Sequence, residues 1–298
     1  DHAVDILHYD VALVPDIAGK RLTGQMSLTL KPTHKDVTAV VLDSGELKIT
    51  SVTRNNRVLP YEQHNGRVRI SLDQPAPTDA PTTLQLRYEG APSFGLEFAP
   101  ERDEVYTVFS TRQWMPSVDA PDERATFALS LTLPPGLKAA GTGRALAPRT
   151  LPDGRVEHRW ALASPMPAYV YGFAAGRYQH ATLPYGRNVL HLLSADRSPQ
   201  QLKQVFARTR DMLDFFADKA GLPYPGDYSQ VLVARTIGQE MAGLSVMSEA
   251  YGKEVVNDPD QIALIAHEAA HQWWGNRVTC VGWEYFWLNE GFANFMTA

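Results

Sequence analysis

The sequence predicts a chain in two parts, an all-β first part and a mixed α/β second part, on three observations. From the start to about Gln179, apolar residues alternate with polar ones in short segments, which is the period of half-buried strands. After about Leu193 the apolar period lengthens to that of a helix. The length of 298 residues, about twice that of a common domain, fits two folding units.

Met26, Leu28 and Leu30 form one alternating set, Val68, Ile70 and Leu72 a second, Leu84, Leu86 and Tyr88 a third, and Phe127, Leu129, Leu131 and Leu133 a fourth. Turn residues separate the strands at Asn55-Asn56, Asn65-Gly66, Pro134-Pro135-Gly136 and Asp153-Gly154. In the second part, Leu202, Val205, Phe206, Thr209, Met212, Leu213 and Phe216 fall on one face of a helix that Gly221 ends. A loop rich in Pro and Gly, from Gly221 to Asp227, then leads to a short strand at Val231 to Ala234. A further helix is expected to start with Asp258 as N-cap and Pro259 in its first turn, running through Ile262, Ile265, Ala266, Ala269 and Ala270 toward Trp274. The boundary is expected near residues 180 to 190, giving domains at 1–183 and 184–298.

Composition narrows the function classes. Apolar residues make up 44% and charged residues 20% of the chain, an ordinary globular balance rather than that of a disordered one. The formal net charge of -5 gives no general attraction for nucleic acid or anionic lipid. No apolar run approaches the roughly 18 residues needed to span a bilayer. Neither nucleic acid nor a membrane is therefore expected as a partner. Cys280 is the only cysteine, which excludes an internal disulfide framework and a Cys-based zinc site and reads as a small buried apolar side chain. The chain opens on Asp1 without an initiator Met or a basic-then-apolar leader, so a trimmed segment is expected. A lost secretory signal means export and a lost tag means cytoplasm; an exported or periplasmic location is preferred.

The chemistry lies in His267-Glu268-Ala269-Ala270-His271. A helix brings residues four apart onto one face, so both imidazoles can reach one ion. Zinc suits two neutral imidazole nitrogens and a carboxylate oxygen, with a fourth position left for water. Alone, such a string also suits two histidines making ordinary hydrogen bonds. Eighteen residues beyond His271, however, Glu290 lies in Trp287-Leu288-Asn289-Glu290-Gly291-Phe292-Ala293, the expected start of a second helix that can pack beside the first.

HEAAHQWWGN, the 18-residue spacer and WLNEGFA together resemble the signature of the M1 zinc aminopeptidases. The resemblance extends upstream to Pro116-Ser117-Val118-Asp119-Ala120-Pro121 and Arg124-Ala125-Thr126-Phe127, which look like the last part of that family's β-saddle domain. It implies an N-terminal saddle or sandwich domain followed by part of a thermolysin-like catalytic domain. It also implies one zinc ion per chain, held by His267, His271 and Glu290, with Glu268 as the base that is not a ligand. Asp119 and Arg124 are expected to stabilise a turn rather than to touch substrate. The remaining histidines, His2, His8, His34, His64, His158, His180 and His191, show no ligand spacing and read as surface or hydrogen-bonded structural residues.

The family reads the free amino terminus of a peptide with a Glu in a GxMEN loop. Gly238-Gln239-Glu240-Met241, ahead of Gly243-Leu244, occupies that place here, with Gln239 for the Met and Met241 for the Asn. The resemblance implies Glu240 as ligand of the α-ammonium group, with Glu249 as an alternative anchor and Gly238 letting the backbone approach the substrate closely. A first-domain Gln or Glu shares that contact in the family; Val105 stands at the corresponding distance before Asp119, so the contact is expected to be absent.

The expected activity is removal of N-terminal residues from peptide substrates. The resemblance also implies a Tyr well downstream of the third ligand that steadies the oxyanion, and the chain stops at Ala298 ahead of any such residue. This piece alone is therefore expected to be weakly active or inactive, and to associate with the remainder or another copy through exposed apolar helix faces. Two other readings stand beside it: the epoxide-opening chemistry of the leukotriene hydrolase relatives, and a non-catalytic scaffold or peptide-binding module.

Overall fold

The computed structural model describes residues 3–235 and 238–298, which leaves His2 outside the described residues. Its first part is built from three sheets and its second from a fourth sheet with helices, the two-part division expected from the sequence. The largest sheet has eight strands, in the order Arg144–Thr150, Val156–Pro167, Arg124–Leu133, Val4–Asp16, Arg21–Pro32, Thr82–Gly90, Lys48–Arg54 and Arg57–Val58. All neighbours are antiparallel except Val4–Asp16 and Arg124–Leu133, which run parallel. The four alternating apolar sets are buried, as period-two patterning requires of a sheet with one covered face. The expected turns form: Asn55, Asn56 and Asn65 take left-handed backbone, and Gly66, Gly136 and Gly154 take positive φ.

Aromatic rings fill the first core. Phe127 and Tyr171 stack with centroids 4.2 Å apart, and Trp114 meets both Phe127 and Phe173 edge-on. The Tyr171 hydroxyl donates to the carbonyls of Ala125 and Met166, so the buried ring leaves no orphaned polar atom.

The second part has a five-stranded mixed sheet in the order Gln179–Tyr185, Asn188–Ser194, Tyr228–Val233, Leu244–Ser248 and Gly238–Met241. Its first strand begins at Gln179, so the expected boundary after residue 183 falls inside a strand. Five helices follow: α1 (Pro199–Val205), α2 (Thr209–Ala220), α3 (Glu249–Asn257), α4 (Ala263–Ala270) and α5 (Trp287–Thr297). The single helix expected over residues 202–216 is thus two, broken at 206–208. Every residue of its apolar face is still buried, because the break keeps the three- and four-residue spacing. Gly221 ends α2 in the left-handed region, as expected.

The helix expected from Asp258 begins later. Asp258 caps the C-terminus of α3 and its carboxylate accepts from Asp260 N and Gln261 Nε2, so the acid-proline pair builds a turn instead of opening α4. Among the described residues no helix is long and apolar enough to cross a membrane.

Candidate metal centre

α4 is short and rich in Ala, and it buries Ile265, Ala269 and Ala270. His267 and Glu268 lie in its last turns, and His271 is its C-cap residue, still with helical backbone. α5 packs beside it and carries Glu290 in its first turn. The three side chains converge. His267 Nε2 lies 3.0 Å from His271 Nε2 and 3.2 Å from Glu290 Oε2, and His271 Nε2 lies 3.5 Å from Glu290 Oε1. Their donor atoms all fall within 4.8 Å of one another, a grouping that can hold a metal ion.

The tautomer of His271 follows from its other nitrogen. Nδ1 lies 2.9 Å from the Trp274 carbonyl, which can only accept, so Nδ1 carries the proton and Nε2 of the neutral ring is free to bind a cation. Gly275 makes this possible: its φ is +130°, and a Cβ there would stand 2.9 Å from His271 Nδ1.

Two more carboxylates border the donors. Glu268 is buried, with Oε2 unpaired, and burial followed by the neighbouring Glu240 carboxylate pushes its pKa well above the ordinary value. Burial likewise raises Glu240, against the pull of His271. Its Oε1 is also buried without a partner. Glu290 moves the other way, down to about 2, because His267 and His271 donate hydrogen bonds to it. For His271, burial acts to lower the pKa, yet the hydrogen bond to Glu290 and the charges of Glu240, Glu290 and Glu268 lift it to about 9. This is a concentrated negative field around two imidazoles, an environment that favours a divalent cation.

Not every residue singled out in the sequence comes to this place. Glu249 does not: its carboxylate accepts from Ser194 Oγ, Ala195 N and Asp196 N, and it pairs with Arg102 and Arg197. Its carboxylate is taken up by a charged cluster between the domains instead of joining the three converging donors. Gly238 is at the site, but the space of its missing side chain is taken by Glu268, since a Cβ would lie 2.4 Å from Glu268 Oε1. Its missing side chain thus makes room for that carboxylate. Val105 is fully buried. Among the other histidines, His8 bonds Thr126 Oγ1, and His180 lies 3.1 Å from His191.

The structure also adds residues. The Tyr169 hydroxyl donates to Gly275 O at 2.7 Å and accepts from Asn289 Nδ2 at 3.1 Å, tying the turn after His271 to the residue before Glu290. Gln272 bonds Gly243 N and Met241 O, and Asn276 Nδ2 reaches Glu240 O, so the chain after His271 holds the Glu240 hairpin. Arg124 does more than stabilise a turn: it donates to Thr279 Oγ1 and to the carbonyls of Asn276 and Arg277, clamping the first domain to the metal-site loop. Beside Tyr169 opens a hollow of about 310 Å³ lined also by Phe109, Trp283 and Phe286, with the Arg112–Asp119 ion pair at its edge. A second hollow of about 350 Å³ between the domains includes none of the metal-donor side chains.

A β-rich first domain is thus joined to a sheet-and-helix unit that brings two imidazoles and a carboxylate together on adjacent helices, a grouping that can hold one metal ion. Residues 6–170 match the Peptidase M1 N-terminal domain and residues 205–298 the Peptidase family M1 domain. The chain belongs to peptidase family M1. It is 28% identical to leucine aminopeptidase 2 of Coccidioides immitis, over 93% of this chain and 48% of that protein. It is 26% identical to aminopeptidase N of Lactobacillus delbrueckii subsp. lactis, over 97% of this chain and 36% of that protein. The fold is similar to a crystal structure of an M1 zinc metallopeptidase from Deinococcus radiodurans, with a TM-score of 0.84 and 25% identity over 99% of this chain and 70% of that one. The chain spans about half the length of the leucine aminopeptidases it matches.

Proposed function

We propose that the chain carries the zinc centre of an aminopeptidase that hydrolyses N-terminal residues from peptides, with one zinc ion held by His267, His271 and Glu290. The observation that carries this reading is the convergence of His267 Nε2, His271 Nε2 and the Glu290 carboxylate beside two further buried carboxylates. The donor set fits zinc: two imidazole nitrogens, one of them fixed in tautomer by Trp274 O, and one carboxylate. When bound, such an ion supplies Lewis acidity to a water and to the scissile carbonyl.

The protein side chains do the rest. Glu268 takes the proton of the attacking water and returns it to the leaving amine, a task for a buried carboxyl with a raised pKa. Glu240 pairs with the α-ammonium group of the substrate; its unpaired Oε1 offers the acceptor that this group needs. The Deinococcus radiodurans relative has been solved, as a variant, with the peptide Tyr-Ser-Ala, which supports a peptide as substrate. On α5, Trp287, Phe292 and Phe295 are 66%, 52% and 77% exposed, which supports association of this face with a further segment or a second copy.

The test is metal analysis together with hydrolysis of free and N-acetylated peptides by the full-length polypeptide. Expected are about one zinc per chain, removed by chelation with loss of turnover, and cleavage of the free peptides alone. Equal cleavage of the acetylated peptides would remove the aminopeptidase assignment.

A further inference from the structure

Gly238–Met241 is the edge strand of its sheet, and strand alternation sends its side chains to opposite faces. Gly238 and Glu240 share the face that meets Glu268 and the metal donors. Gln239 and Met241 share the other face, and both meet the first domain. Gln239 Oε1 accepts from Phe109 N at 2.9 Å, and Met241 Sδ lies 3.8 Å from Thr107 Oγ1 in space that Gly172 leaves free. These are two of the positions at which the segment departs from the GxMEN pattern, and both side chains serve one contact.

That contact holds an unusual backbone. Phe109 and Ser110 both take left-handed φ, 46° and 43°, a conformation that a bulky residue keeps only when its surroundings hold it. Gln239 is 1% exposed, so water does not readily replace its amide oxygen as the partner of Phe109 N. The Phe109 ring is thereby left 38% exposed as a wall of the hollow it forms with Tyr169, Trp283 and Phe286. Among the described residues the charges lining that hollow, Arg112 and Asp119, neutralise each other, so it suits a large apolar or aromatic group.

We propose that Gln239 is a positioning residue that sets selectivity for the substrate's first side chain, by holding Phe109 as a wall of this hollow. The inference rests on the aminopeptidase reading. There, the α-ammonium group and the first side chain hang from one carbon, so whatever reads the side chain must stand close to Glu240. Gln239 is the residue that links the two.

The experiment compares Gln239→Leu, which removes the acceptor at similar size, with Gln239→Glu, which keeps one, in the full-length enzyme. Phe109→Gly is the third variant, relieving the backbone and removing the wall. Expected for Gln239→Leu is a loss of about tenfold in kcat/KM on tyrosyl and phenylalanyl amides, with alanyl amides within about twofold of wild type. Phe109→Gly should reproduce that ratio and Gln239→Glu should restore it. Hydrogen exchange at the Phe109 amide should quicken in Gln239→Leu, with exchange in the remaining sheets unchanged as the check on folding. An unaltered aromatic-to-alanyl ratio in both Gln239→Leu and Phe109→Gly overturns the proposal, as does unaltered exchange at Phe109. If the wild type hydrolyses none of these amides, the aminopeptidase reading itself is lost, and this selectivity role with it.

Discussion

The Tyr169 hydroxyl accepts a hydrogen bond from Asn289 Nδ2 at 3.1 Å, which joins a first-domain residue to the residue preceding the third metal donor. Its proton goes to Gly275 O at 2.7 Å, in the turn that fixes His271. One buried phenol therefore registers α5 against the end of α4. Tyr169→Phe keeps the ring but leaves Asn289 Nδ2 and Gly275 O without this partner. The expected cost is about 1–3 kcal/mol of stability, read by denaturant unfolding. Zinc affinity should fall by about tenfold or more, read by competition with a chelator. Unchanged zinc affinity would leave the phenol a packing role only.

Glu268→Gln separates binding from chemistry. The variant should retain zinc at the wild-type stoichiometry, because Glu268 is not one of the three converging donors. Turnover should fall by about 10²- to 10⁴-fold, as for loss of a general base. A variant that hydrolyses at the original rate would take Glu268 out of the reaction.

Protons and metal compete for the same atoms. Without metal, Glu290 sits at about 2 against an ordinary 4.5, and His271 at about 9 against 6.5. The depressed carboxylate contributes stability that is present above pH 4.5 and lost as the pH falls toward 2. The raised imidazole contributes stability that is full below pH 6.5 and lost as the pH rises through 9. The metal-free protein should therefore gain most from this pair between about pH 4.5 and 6.5. A profile of Tm against pH for the chelated protein checks it. Zinc needs the Nε2 lone pair of His271, so binding at pH 7 should release about one proton, measurable by calorimetry in buffers of different ionisation enthalpy. No dependence on the buffer would contradict the raised pKa of His271.

Arg124→Met keeps most of the side-chain bulk and removes three hydrogen bonds to the loop after His271. Hydrogen bonds from a charged group are worth about 1.5–3 kcal/mol, so Tm should fall clearly. Proteolytic nicking should rise between residues 276 and 279 while the first domain stays resistant. Nicking spread evenly over the chain would argue against a local clamp.

What the sequence made legible was local. His267 and His271 could be read because helical spacing alone puts them on one face, and Glu290 because its short segment sits at a recognisable distance from them. The strand sets around Met26, Val68, Leu84 and Phe127 could be read because each covers one face of a sheet. Tyr169, Arg124 and Gln239 could not. Their roles depend on partners 106, 155 and 130 residues away, and no periodicity encodes such a meeting. Glu249 misled because a carboxylate near the expected anchor says nothing of its direction, and its neighbours Ser194 and Arg197 come from another strand end. The start of α4 misled because Asp258-Pro259 suits a turn as well as it suits a helix entrance.

The parallel pairing of Val4–Asp16 with Arg124–Leu133 bears on how the chain comes to be assembled. Val4–Asp16 lies inside the largest sheet, with one neighbour supplied soon after it in the chain by Arg21–Pro32 and the other only by Arg124–Leu133. Until then one edge of the nascent meander carries unpaired backbone groups, an opening for pairing with a stranger. The stretch between residues 32 and 124 is thus the interval of chain over which that edge stays open to mispairing, well before any metal donor has been translated.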